Sequence, residues 1–312
     1  QITFGMMIST QFIIGMMNGP IMQFVSFIQS AQYAKISFMR INEIHKLEDE
    51  DDTSPIISNS LALPKDKSLI VKNLSFRYSP HAPIVLKNIN LTIPEGKVTA
   101  IVGDSGCGKS TLLKLLLRMY VPSYGEISIG QMNINNIGLR EWRSKCGCVM
   151  QDGKLFNDTI QNNIVLNEEN IDYDALKRAT EVACINKEIE AMPQGYQTTI
   201  GEMGRGLSGG QRQRLLIARA LYKKPDYLFL DEATNALDTI NEQKIVKALN
   251  NVFVNRTVII IAHRLSTIRK ADQIVVLKSG SIIETGNHDQ LMQNKQYYYQ
   301  LIQNQYELDT KE

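Results

Sequence analysis

"VTAIVGDSGCGKSTLLKLLLRMY", residues 98–120, decides the fold. Val98 to Val102 is an apolar run of strand length, and the leucine-rich run after Lys109 has helical character. Between them, Gly103 to Ser110 fits the pattern G-x-x-x-x-G-K-[ST]. Gly103, Gly106 and Gly108 let the backbone curl until its amides converge on phosphate oxygens. The helix that follows adds its positive dipole end. In such a loop Lys109 reaches the β- and γ-phosphates and the Ser110 hydroxyl ligates Mg²⁺. The stretch therefore predicts a strand–loop–helix unit that holds a nucleoside triphosphate.

Two later stretches extend this reading. In "PDYLFLDEAT" (residues 225–234) a buried strand ends on Asp231, at the sheet edge where open α/β folds bind ligands. Asp231 suits Mg²⁺, and Glu232 supplies a second carboxylate able to polarise a water. On the residues alone, a purely structural carboxylate pair stays open. In "GRGLSGGQRQRLLIARAL" (residues 204–221), Ser208, Gly209, Gly210 and Gln211 form a serine cap with free amides at a helix start. This is a second anion cradle. The chain has one phosphate-loop lysine, so the second cradle is expected to close over a nucleotide held by another subunit.

The rest of the chain sets bounds. Its 312 residues carry a net charge of +2, which makes no bulk electrostatic case for nucleic acid. Four scattered cysteines exclude a disulfide framework, and Cys146-Gly147-Cys148 has no second pair at zinc spacing. From Leu69 onward, strand-like and helical runs alternate, the signature of an α/β domain. Residues 1–34 contain no charged side chain, although about 20 apolar residues suffice to span a bilayer. Scattered polar residues and Pro20 are tolerated in membrane bundles, and basic residues begin only at Lys35. A signal peptide would need an early positive charge. The stretch reads as a last membrane helix cut from those before it; a soluble core helix is the alternative. The expected organisation is residues 1–47 as the end of a membrane domain, 48–67 as an acidic linker, and 68–312 as the α/β domain. An antiparallel β layer is expected near residues 69–99 and a helical subdomain near 155–222.

These motifs, in this order, resemble those of the ATP-binding cassette (ABC) family over almost all of residues 66–306. The resemblance rests on the phosphate loop, Gln151 in "VMQD", "LSGGQ", "LFLDE", Asn235-Ala236-Leu237-Asp238 and His263 in "IIIAHRLST". It implies a P-loop core with a RecA-like sheet, an antiparallel β layer and a helical subdomain. It further implies that Tyr78 stacks on adenine, that Gln151 touches Mg²⁺ and the attacking water, and that Glu232 is the catalytic base. His263 would be the switch histidine at the γ-phosphate, and Asp238 would cross the dimer interface. Candidate nucleotide contacts are thus Tyr78, Gly103, Ser105, Gly106, Cys107, Gly108, Lys109, Ser110 and Thr111. Ser208, Gly209, Gly210, Gln211 and Asp238 would reach across from the second chain. Catalytic candidates are Glu232, His263 and Gln151; Mg²⁺ candidates are Ser110, Gln151 and Asp231. An alkylating reagent at Cys107 is expected to block the phosphate site.

Within the family, Glu202 in "TTIGEMGRGLSGGQ", "LFNDTIQNNI" and the tail "ETGNHDQLMQNKQYYYQLIQNQ" resemble exporters. The likeness is greatest to bacterial peptide and bacteriocin exporters with a cysteine peptidase at their N-terminus. The implied protein is a homodimeric half-transporter of the cytoplasmic membrane, its cassette on the cytoplasmic side, using ATP and Mg²⁺ to export a peptide. A lipid or drug exporter is the first alternative. A soluble ABC ATPase acting on DNA or ribosomes is the second; it predicts no membrane-like segment.

Overall fold

A computed structural model describes residues 3–46, 64–166, 170–201, 204–233, 239–262 and 268–309. The chain divides into two compact units, residues 1–53 and 54–312. The expected acidic linker falls mostly outside the described residues.

The first unit is one helix, α1 (Phe4–His45), 42 residues long and with no buried residue. At 1.5 Å per residue it runs about 63 Å, roughly twice the hydrocarbon thickness of a bilayer. It contains Pro20 and includes a window apolar enough to cross a membrane by length and composition. Phe4, Met16, Phe24 and Phe38 stand among its many exposed large apolar side chains.

The second unit stacks two sheets. Strands β1 (Leu69–Phe76), β2 (Leu86–Ile93), β3 (Val98–Val102), β4 (Tyr124–Ile129), β5 (Met132–Asn133) and β6 (Cys146–Val149) come first. The short β7 (Asp158–Thr159) and β8 (Thr199–Ile200) pair with each other. Then follow β9 (Tyr227–Asp231), β10 (Thr257–Ile261), β11 (Gln273–Lys278) and β12 (Ser281–Gly286). The larger sheet has the order β12-β11-β3-β10-β9-β6, parallel except for β12 at its edge. The smaller, antiparallel sheet has the order β2-β1-β4-β5.

A parallel sheet buried on both faces calls for near-continuous apolar runs, and these strands supply them. Successive residues point to opposite faces. Ala100, Leu228, Leu230, Val258 and Ile260 enter one core, shared with the helices. Ile101, Tyr227, Phe229, Ile259 and Ile261 enter the other, between the two sheets.

The antiparallel layer begins at Leu69 as expected but extends beyond residue 99. Val98–Val102 belongs to the parallel sheet, and β4 and β5 complete the antiparallel one, with Leu69 paired to Ile129. Such pairing is non-local, so β4 carried no local sign of its partner.

Helix α2 (Lys109–Leu116) follows the phosphate loop and α3 (Leu139–Ser144) precedes β6. Between β6 and β9 lie α4 (Ile160–Val165), α5 (Tyr173–Val182), α6 (Asn186–Glu190) and α7 (Gly209–Tyr222). Helix α8 (Thr239–Phe253) precedes β10, and two helices, His288–Asn294 and Tyr297–Asp309, close the chain. Trp142, the only tryptophan, is fully buried on α3. Its indole Nε1 donates to the Leu116 carbonyl at 3.1 Å, and its ring lies 4.9 Å from that of Tyr227. It therefore ties the end of the phosphate-loop helix to the parallel sheet. Trp142→Ala is expected to destabilise the fold by about 3–5 kcal/mol. Urea unfolding checks this; an unchanged midpoint would contradict the tie.

Candidate nucleotide site

The phosphate loop is shaped by what surrounds it. Gly103 sits at φ +147°, where a Cβ would lie 2.0 Å from the Leu277 carbonyl oxygen on β11. Gly108 sits at φ +107°, and its Cβ would lie 2.7 Å from Leu86 Cδ2 on β2. No side chain fits at either position, and the left-handed angle at Gly108 is glycine's. Gly106 faces open space. Lys109 is buried, and its ammonium donates to the Gly103 carbonyl at 2.9 Å and the Asp104 carbonyl at 2.8 Å. A fixed positive charge thus stands at the centre of a ring of backbone.

Strand order brings the other groups to this loop. The loop leaves the C-terminal end of β3, Asp231 ends β9, and Gln151 follows β6. All three strands are parallel members of one sheet, so these ends share an edge. A cleft of about 340 Å³ there is lined by Tyr78, Ser105, Gly106, Lys109, Gln151 and Glu232, with Gly108, Ser110 and Thr111 beneath. Gln151 Nε2 donates to Glu232 Oε2 at 3.1 Å. Glu232 sits at φ +51°, sparsely populated for a residue with a Cβ. Its amide donates to Ile261 O at 3.3 Å, and its carbonyl accepts from Gln213 Nε2 at 2.9 Å.

Asp231 is almost fully buried, and its Oδ1 has no hydrogen-bond partner among the described residues. Burial raises its carboxyl above the ordinary range; a hydrogen bond with Ser110 opposes this, and the Glu232 charge adds to it. A buried carboxylate oxygen without a partner, beside a serine hydroxyl, is a donor pair that fits Mg²⁺.

Tyr78 is half exposed, and its hydroxyl shares a 2.9 Å hydrogen bond with Thr111 Oγ1. Phe76 and Tyr120 meet its ring at near-perpendicular angles, with centroids 5.0 and 5.3 Å from that of Tyr78. The ring is held by its edges while remaining half open to solvent.

Cys107 departs from the sequence reading. Its side chain belongs to the core between the sheets, and burial raises its thiol above the ordinary value. Its Sγ packs beneath the loop, 4.0 Å from the Lys109 ammonium, and a buried, protonated thiol is a poor target for alkylation.

Ser208 caps α7 in a capping box: Gln211 N donates to Ser208 Oγ at 3.1 Å, and Ser208 N to Gln211 Oε1 at 2.9 Å. Ser208, Gly209, Gly210 and Gln211 do not line the cleft beside Lys109. Asp238, His263 and Glu202 lie outside the described residues.

Several supporting side chains were not foreseen. Glu188 on α6 receives Arg214 at 2.5 and 3.0 Å and Gln211 Nε2 at 2.9 Å, bracing the serine cap from below. Arg219 donates to Lys154 O at 2.8 Å and Asn163 O at 2.7 Å, fastening α7 to the segment after Gln151. The arginines were visible in the sequence; their partners lie on other elements.

A glycine loop with a buried lysine, a carboxylate pair on the adjoining edge and a capped helix in an inserted helical layer define a cassette-type nucleotide-binding domain. Residues 86–235 match the ABC transporter family. The chain carries an ABC transporter ATP-binding domain. It is 40% identical to the exotoxin translocation ATP-binding protein PaxB of Pasteurella aerogenes, over 96% of this chain and 42% of that protein. It is 39% identical to the leukotoxin translocation ATP-binding protein LktB of Mannheimia haemolytica, over 97% and 42%. A structure of a bacterial Atm1-family ABC exporter with ATP bound superposes with a TM-score of 0.80 and 36% identity, covering 88% of this chain and 47% of that one. The chain thus spans less than half the length of these relatives.

Replacing Asp231 by Asn should abolish the Mg²⁺-dependent part of nucleotide affinity and leave the Mg²⁺-independent part. Titration with and without chelator reads both; an undiminished Mg²⁺ increment would remove Asp231 from the metal site.

Proposed function

We propose that residues 68–312 bind ATP with Mg²⁺ and hydrolyse it to drive export of a polypeptide across the cytoplasmic membrane. The observation that carries this is the Gln151–Glu232 hydrogen bond at 3.1 Å in the cleft that also contains Lys109. A water in that cleft attacks the γ-phosphorus, the bond to the ADP oxygen breaks, and the Glu232 carboxylate takes the water's proton. The Gln151 amide orients Glu232 and the water. Lys109 and the loop amides balance charge on the phosphates, and the Tyr78 ring stacks on the base. Mg²⁺, held by Ser110 and Asp231 with Gln151 nearby, would neutralise phosphate charge. His263 is proposed at the γ-phosphate.

The second cradle points to a dimer. Ser208, Gly209, Gly210 and Gln211 do not line the cleft of their own chain, so we assign them, with Asp238, to the nucleotide of a second copy. Two chains then close head-to-tail on two nucleotides, and hydrolysis reopens them.

Residues 1–47 are proposed as the last membrane helix and its cytoplasmic extension, joined by residues 48–67 to the cassette. The length and full exposure of α1 support this, since it has a lipid- or bundle-facing surface and no core of its own. The relatives named for exotoxin and leukotoxin translocation favour a polypeptide cargo. A bacteriocin-like peptide is the narrower proposal.

Glu232→Gln keeps the shape and removes the base. ATP hydrolysis should fall by about 10²–10⁴-fold while ATP binding persists, and the mutant should run as a dimer in ATP and Mg²⁺. Phosphate release and size-exclusion chromatography test both parts; normal turnover would require another base.

A further inference from the structure

The phosphate loop carries an anion of its own. Asp104 follows Gly103 in a loop whose purpose, on the reading above, is to hold a triphosphate. A carboxylate turned toward that ligand would oppose it. Asp104 does not line the cleft; its carboxylate accepts a hydrogen bond from the Tyr297 hydroxyl. Tyr297 opens the last helix, far along the chain from the loop.

Its place is fixed on three sides. Lys278 Nζ lies 3.9 Å from the centre of the Tyr297 ring, a cation–π contact. Lys278 directly follows Leu277, whose carbonyl abuts Gly103. The next residue, Tyr298, is buried; its amide donates to Glu284 Oε1 at 2.9 Å and its hydroxyl meets His288 Nδ1 at 2.8 Å. Burial, and then the Asp104 carboxylate, push the Tyr297 phenol up to about 12, so it remains a donor at neutral pH. Through its backbone, Asp104 also holds Lys109, whose ammonium donates to the Asp104 carbonyl at 2.8 Å.

We propose that Tyr297, backed by Lys278, is a positioning residue for nucleotide binding, holding the Asp104 carboxylate away from the phosphate cradle. The C-terminal helix thereby sets the charge that the triphosphate meets. This inference rests on the ATP-binding reading and goes beyond it.

The test measures affinities for ATP, ADP and adenosine with the 312-residue chain in detergent. Tyr297→Phe keeps the ring over Lys278 and removes only the hydroxyl. It should weaken ATP by about fivefold, the scale of one charge pair screened by water, weaken ADP less, and leave adenosine unchanged. In the Asp104→Ala background the same substitution should have no effect. A merely structural Tyr297 would weaken all three ligands and do so with or without Asp104; that result, or an unchanged ATP affinity, overturns the inference. Lys109→Ala separates the two readings. Loss of ATP binding there with none in Tyr297→Phe sinks only this inference, while ATP affinity that survives Lys109→Ala sinks both.

Discussion

The site depends on the absence of space around two glycines. At Gly103 the backbone lies against the carbonyl of Leu277, and at Gly108 against the side chain of Leu86. Those neighbours come from different sheets, so the loop is clamped where the two layers meet. A loop clamped in this way presents its amides in one arrangement before any ligand arrives, and little conformational freedom is left to lose on binding. The buried Lys109 makes the same point in charge. Its ammonium is already held by two loop carbonyls, so the positive centre is built into the fold.

Helix α7 joins what the loop alone does not. Near its start, Ser208 and Gln211 form the second cradle, and Gln213 donates to the carbonyl of Glu232. Toward its end, Arg219 fastens the segment just after Gln151. One rigid element therefore touches the proposed base, the flank of the glutamine and the surface proposed to meet a second chain. The proposed closure on a nucleotide and the position of the Gln151 segment are thus linked through one helix.

What the sequence revealed follows from how local each signal is. The phosphate loop, the strand ending on Asp231 and the serine cap of α7 were legible because spacing and chemistry sit within a few residues. The place of β4 beside β1 was not, because pairing Leu69 with Ile129 depends on the whole intervening chain. The inward turn of Cys107 was hidden for a related reason. Its position is variable in the motif, and only packing between the sheets decides which way it points. Glu188 beneath the cap and Asn163 beside Arg219 are ordinary polar residues until the fold gives them partners.

The central claim is that the clamped loop and the adjoining carboxylate edge hold a triphosphate between two chains. A structure of the Glu232→Gln chain determined with ATP and Mg²⁺ tests it most directly. The account predicts phosphate oxygens on the amides between Gly106 and Thr111, the metal at Ser110 and Asp231, and Ser208 of a second copy facing the γ-phosphate. Nucleotide bound away from Lys109, or a γ-phosphate met only by residues of its own chain, would contradict it.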